Sequence, residues 1–146
     1  MAEADTSTGS GISWPNRVLL SLLAVGLLVL LATAAGLRPD RRGYGTHQQF
    51  GLPPCSFQFL FGRPCPTCGM TTAWAYLVRG DAVPALRANV GGTVLAVLAM
   101  ASVPWLLASA ARGRWLPGAP SGTAVAWTAM TIALLTLADW GLRLLN

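Results

Sequence analysis

Val18-Leu-Leu-Ser-Leu-Leu-Ala-Val-Gly-Leu-Leu-Val-Leu-Leu-Ala-Thr-Ala-Ala-Gly-Leu37 carries no charged side chain. About 20 apolar residues in a helix are enough to cross the ~30 Å hydrocarbon core of a bilayer. Residues 18–37 therefore read as a transmembrane helix. Arg38-Pro-Asp-Arg-Arg42 stops it, and Trp14 and Arg17 precede it as headgroup-level anchors. Ala32-Thr-Ala34 has the A-x-A form of a cleavage site, so a cleaved signal peptide is the rival reading. The segment before the apolar run has one basic residue, Arg17, after two acids, Glu3 and Asp5, which favours the uncleaved helix.

Working outward, residues 90–111 and 123–145 are two further apolar runs of spanning length, joined by a turn at 112–122 that contains Trp115. Gly91-Gly92 allow close helix packing, and Pro104 predicts a kink. Asp139 and Arg143 are four apart on one helical face and read as an interfacial ion pair. Residues 1–13 are small, polar and slightly acidic. They predict a disordered tail running into the anchor at 14–17. The expected fold is an all-α integral membrane protein. It has three transmembrane helices plus a short interfacial or re-entrant helix within residues 38–89.

Composition agrees. Hydrophobic residues make up 53% of the 146 and charged residues 10%, against about 25% charged in a soluble domain. The net charge of +5 comes entirely from arginine, since there is no lysine. The arginines fall between apolar runs, without the basic-aromatic groove that single-stranded nucleic acid requires. The bilayer is the expected partner, and nucleic acid is not. Ala32 and Gly36, one turn apart, suit association with a membrane partner or a second copy. With three spans, the tail and the 112–122 turn share one side and carry Arg17, Arg112 and Arg114. The cysteine loop and the C-terminus share the other, with seven arginines. The positive-inside rule then predicts a cell-membrane protein with a cytoplasmic cysteine loop and an external N-terminus.

All three cysteines lie in residues 38–89. Phe57, Phe59 and Phe61 alternate, which suits a short strand or an interfacial turn. Arg63-Pro-Cys-Pro-Thr-Cys-Gly-Met-Thr-Thr72 follows, with Cys65 and Cys68 three apart around Pro66 and Thr67. Gly69 lets the backbone turn. Met70, Ala73, Trp74 and Leu77 then form one helical stripe, with Thr71, Thr72 and Arg79 off it. Gly80 reads as a helix stop and Asp81 as the next N-cap. Asn89, at the mouth of the second span, is placed to bridge to the cysteine turn.

An odd cysteine count excludes a fully paired set of disulfides. A Cys-x-x-Cys pair can share a metal ion or form a disulfide. The metal reading, with zinc the expected ion, adds Cys55 and takes His47 as the fourth ligand. The redox reading is a membrane thiol-disulfide oxidoreductase using Cys65 and Cys68, with Cys55 resolving. A third reading has the sulfurs simply packed. There is no Ser/His/Asp set, phosphate-cradling loop or carboxylate pair. The expected function is therefore a non-catalytic membrane module with a structural or metal-binding turn, and the oxidoreductase is the alternative.

The order of these elements resembles the bacterial membrane proteins grouped as domain of unknown function 2752. In those proteins an upstream Cys precedes Gly-x-Pro-Cys-Pro-Gly-Cys-Gly-Leu-Thr-Arg, a short helix, Gly-Asp and Asn-Pro. Here the elements are Cys55, then Gly62 through Thr72, then Gly80-Asp81 and Asn89. The resemblance implies that Cys55, Cys65, Pro66, Cys68, Gly69, Thr71, Gly80, Asp81 and Asn89 form one unit. Thr67, Thr72 and Val90 depart from the pattern. Thr72 stands where the family usually has Arg, so a step that needs that charge would be missing here.

Overall fold

The structure, a computed structural model, describes residues 11–145. It is all-helical, and no strand forms among the described residues. Three helices are long and apolar enough to cross a membrane: α1 (Trp14–Gly36), α5 (Val90–Arg112) and α6 (Gly122–Leu145). Between the first two lie a 3-10 helix (Thr46–Phe50), α2 (Ser56–Phe61), α3 (Met70–Leu77) and α4 (Ala82–Ala88). The C-terminal end of α1, the N-terminal end of α5 and the C-terminal end of α6 carry this short-helix unit.

The long helices expose most of their leucines and valines, as segments solvated by lipid do. Their mutual contacts combine a few buried leucines with small residues. α1 lies along α5, with Leu20 and Ala24 against Leu106 and Ala110. Without a hydrophobic drive inside lipid, close backbone approach and polar ties must hold such helices together. Gly91 supplies the approach for α6. A Cβ there would sit 1.8 Å from Thr136 Oγ1, and Thr136 is the buried residue of α6. Gly92 does the same for α3, since a Cβ there would meet Met70 Cα at 3.0 Å. α5 continues through Pro104 as one helix.

The polar ties are arginines bonded to carbonyls left over at helix ends. Arg17 donates to Ala110 O at 2.7 Å and to Ala111 O at 3.1 Å at the end of α5. Arg79 donates to Ala34 O, Ala35 O and Leu37 O at the end of α1. The A-x-A residue Ala34 is thus buried and bonded within a packed helix.

Two local expectations change, and a third lies largely outside the described residues. The alternating phenylalanines form helix α2, closed by Gly62 in the left-handed region. Three alternating rings are too short a run to separate the two periods, and Phe57 stacks on Phe61 one helical turn away, with centroids 4.7 Å apart. The tail expected to be disordered falls mostly outside the described residues; of those described, Ile12 donates its amide to Gly113 O at 2.6 Å and packs against the cluster of Leu20, Ala24, Leu106 and Ala110. Finally, α3 buries only Ala73 of the predicted stripe, with Met70, Trp74 and Leu77 half-buried, and buries Thr72 and Ala75 from off it. The neighbours of α3 are helices at short range, so its small residues face them.

Candidate functional site: a three-sulfur turn

The site is built by two chain reversals. Cys55 precedes the first turn of α2. After Gly62 the chain returns through Pro64, and Cys65-Pro-Thr-Cys68 closes a β-turn with Cys68 N–H bonded to Cys65 O at 3.0 Å. Pro66 takes the second position of that turn, where its fixed φ fits. Gly69 follows at φ +93°, and a Cβ there would lie 2.3 Å from Ala88 O and 2.6 Å from Gly43 O. Both the sign of φ and the space require glycine. The chain then enters α3.

These reversals bring the Cys55, Cys65 and Cys68 sulfurs within 4.8 Å of one another. All three are free thiols. Cys68 is buried, while Cys55 and Cys65 are half-buried. Cys65 Sγ lies 3.0 Å from Cys68 Sγ and 3.2 Å from Thr67 Oγ1. The Cys65 amide donates to Cys68 Sγ at 3.3 Å. The Gln58 backbone amide, in the first turn of α2, favours the Cys55 thiolate and brings its pKa down to about 7. Burial pushes the Cys68 thiol up to about 12, and its hydrogen bond with Cys65 adds to the rise. The three thiols therefore differ in proton affinity although they touch.

Asn89 holds the turn from beneath. It is fully buried, and its Nδ2 donates to Pro66 O and Cys68 O, each at 3.1 Å. Its Oδ1 accepts from Gly92 N at 2.7 Å, so the same side chain caps α5. Asp81 stands at the N-cap of α4 without a side-chain cap bond, and Gly80 turns at φ +86° between α3 and α4. Thr71 lines the same cavity as the sulfurs. Thr72 is fully buried, and its hydroxyl meets Thr46 Oγ1 at 2.8 Å. Thr72 also lines the cavity beside the sulfurs. His47 lines the cavity but stands outside the group of sulfurs within 4.8 Å.

α6 contributes contacts that the motif alone did not signal. Arg143 donates to Cys68 O at 3.2 Å and Ala88 O at 3.1 Å, and pairs with Asp139 at 2.6 Å. Asp139 also accepts from Val90 N at 3.4 Å. Trp140 Nε1 donates to Pro64 O at 2.7 Å, and Arg63 donates to Leu144 O at 3.0 Å. The expected interfacial ion pair is thus a clamp on the cysteine turn. The available signal was position, because both residues lie at the end of α6 that faces the loop.

Three sulfurs around one tetrahedral ion, with metal–sulfur bonds near 2.3 Å, stand about 3.8 Å apart. Opening the Cys65–Cys68 contact from 3.0 Å to that spacing takes less than ~1 Å. The donor set therefore fits a thiophilic ion such as zinc. The family model described as protein of unknown function (DUF2752) matches residues 55–103, from the first sulfur into α5. No curated protein and no solved structure matches the chain.

Proposed function

We propose that this chain, which carries the DUF2752 segment over residues 55–103, is a multi-pass membrane protein that holds a metal ion through Cys55, Cys65 and Cys68. The observation that carries the reading is the meeting of Cys55 with the Cys65–Cys68 pair inside 4.8 Å. A thiol pair for disulfide chemistry needs two sulfurs in contact. A soft metal gains from a third, and Zn2+ favours thiolate donors. Zinc would supply the charge that lets three adjacent thiols ionise together. The chain supplies a rigid turn, through Asn89 and Arg143, that fixes the sulfur positions before the ion arrives.

Metal analysis of the purified full-length protein tests this, with thiol titration before and after chelation. One zinc per chain is expected, lost in Cys55→Ser and in Cys65→Ser. Three titrating thiols and no metal at saturating zinc would refute it. A second reading, dithiol redox chemistry, is favoured by the 3.0 Å Cys65–Cys68 contact. It requires a reversible bridge between those two sulfurs, visible as a loss of 2 Da in intact mass.

We assign the cysteine unit to the cytoplasmic side. Arg63, Arg79 and Arg143 bond carbonyls and Arg42 pairs with Asp40, as Arg17 bonds carbonyls at the other end. The remaining balance is Arg38, Arg41 and Arg87 against Arg112 and Arg114. A reporter fused after Asn146 should signal cytoplasm, and an external signal reverses the assignment. The exposed faces of α1 and α6 are the surfaces by which a second membrane protein or a second copy would associate.

A further inference from the structure

We infer that the three-sulfur site keeps a fourth coordination position open toward its adjoining cavity and takes there a small neutral donor ligand, so that it is an exchangeable centre rather than a closed Cys3His one. This rests on the metal reading above. Three observations carry it.

First, all three cysteines line one cavity of about 380 Å³. A single water takes up about 30 Å³, so the space is roughly ten times what one solvent ligand needs and falls within the range of small-molecule sites. Structural zinc sites close all four positions with protein, while sites that bind a reactant use three protein ligands. Second, His47, the protein donor nearest in kind, is held on the cavity wall. Its neighbour Thr46 is buried, accepts from the Asp40 amide at 3.0 Å and bonds Thr72 at 2.8 Å. The backbone that carries His47 is thus anchored, and its ring is not among the donors within 4.8 Å of one another. Third, a divalent ion with three thiolates carries a net charge of about −1. The other polar side chains on the cavity wall, Tyr44, Gln48, Gln58, Thr67, Thr71 and Thr72, are neutral hydrogen-bonding groups. His47 aside, no side chain on that wall can carry a positive charge to balance a fourth anion, whereas a neutral donor such as an imidazole, an amide carbonyl or water finds both room and partners.

The test uses the full chain in detergent, loaded with Co2+ and titrated with imidazole. The expected result is a saturable shift of the d–d bands while the sulfur-to-cobalt charge-transfer intensity remains that of three thiolates. Wild type and His47→Ala should show the same half-saturation. A wild-type spectrum that ignores imidazole overturns the inference. If His47→Ala then responds, His47 is the closing ligand. Failure of cobalt to bind at all overturns the metal reading itself, and the inference with it.

Discussion

Removing the Asn89 side chain should loosen the cysteine turn and the start of α5 together. Asn89→Ala deletes two bonds to Pro66 O and Cys68 O and one from Gly92 N. Cys68 O keeps Arg143, so two groups, Pro66 O and Gly92 N, are orphaned. Gly92 N is buried and costs about 1–3 kcal/mol, while the part-buried Pro66 O costs less, so the loss is about 1–4 kcal/mol. Asn89→Asp separates the two jobs. Its carboxylate still accepts from Gly92 N, but it now faces two carbonyl oxygens without a donor, in a buried position. We expect it to weaken the turn at least as much as alanine does, while leaving the α5 cap in place. The assay is maleimide labelling of Cys68 in detergent, read by peptide mass, beside thermal unfolding. Cys68 is buried, so its labelling reports opening of the turn. A local loss of about 2 kcal/mol multiplies the open population, and hence the rate, roughly 30-fold. Labelling and melting of Asn89→Asp equal to wild type would refute the bridging role.

Gly69→Ala should lower stability by about 2–5 kcal/mol, the sum of a left-handed backbone penalty and overpacking against two carbonyls; an unchanged melting temperature would contradict the 2.3 Å approach to Ala88 O. In metal-free protein, Cys55 alkylation should rise with pH through a midpoint near 7, whereas Cys68 should stay inert in the folded state until far higher pH. The linkage has opposite signs at the two thiols. Cys55, with its pKa lowered, loses its contribution as pH falls through about 7. Cys68, with its pKa raised, loses stability as pH rises from its ordinary value of 9.0 toward about 12. Unfolding measured across pH 6 to 12 checks both. Arg143→Met and Asp139→Asn should each destabilise, and the double variant by less than their sum, with a coupling of about 0.5–3 kcal/mol in a melting cycle; strict additivity would mean that the 2.6 Å pair is idle.

The spans were legible because each is a long uncharged run, and lipid leaves little choice but helix for such a run. The helix bounds moved by a few residues, to Trp14–Gly36, Val90–Arg112 and Gly122–Leu145. The resemblance marked Gly69 and Asn89 as positions without saying what they touch. Gly69 matters because of carbonyls at residues 43 and 88, contacts that no local pattern encodes. Asn89 was legible as a bridge because it opens a span beside the motif. Cys55 lies ten residues before Cys65, and only the reversal through α2 shows that the sulfurs meet. Arg79 and Arg143 read as topology charges, since a guanidinium that caps a distant helix looks in sequence like one facing lipid headgroups. The alternating phenylalanines fit two periods equally over so short a run.

The sulfurs and the side chains that clamp them are far apart in order of synthesis. Cys68 leaves the ribosome 75 residues ahead of Arg143, and Pro64 leaves 76 ahead of Trp140. At the bilayer the nascent chain therefore presents its thiols well before the last helix can lock them. Completion of the site waits for α6, and a chain truncated after α5 carries every sulfur but lacks the α6 clamp.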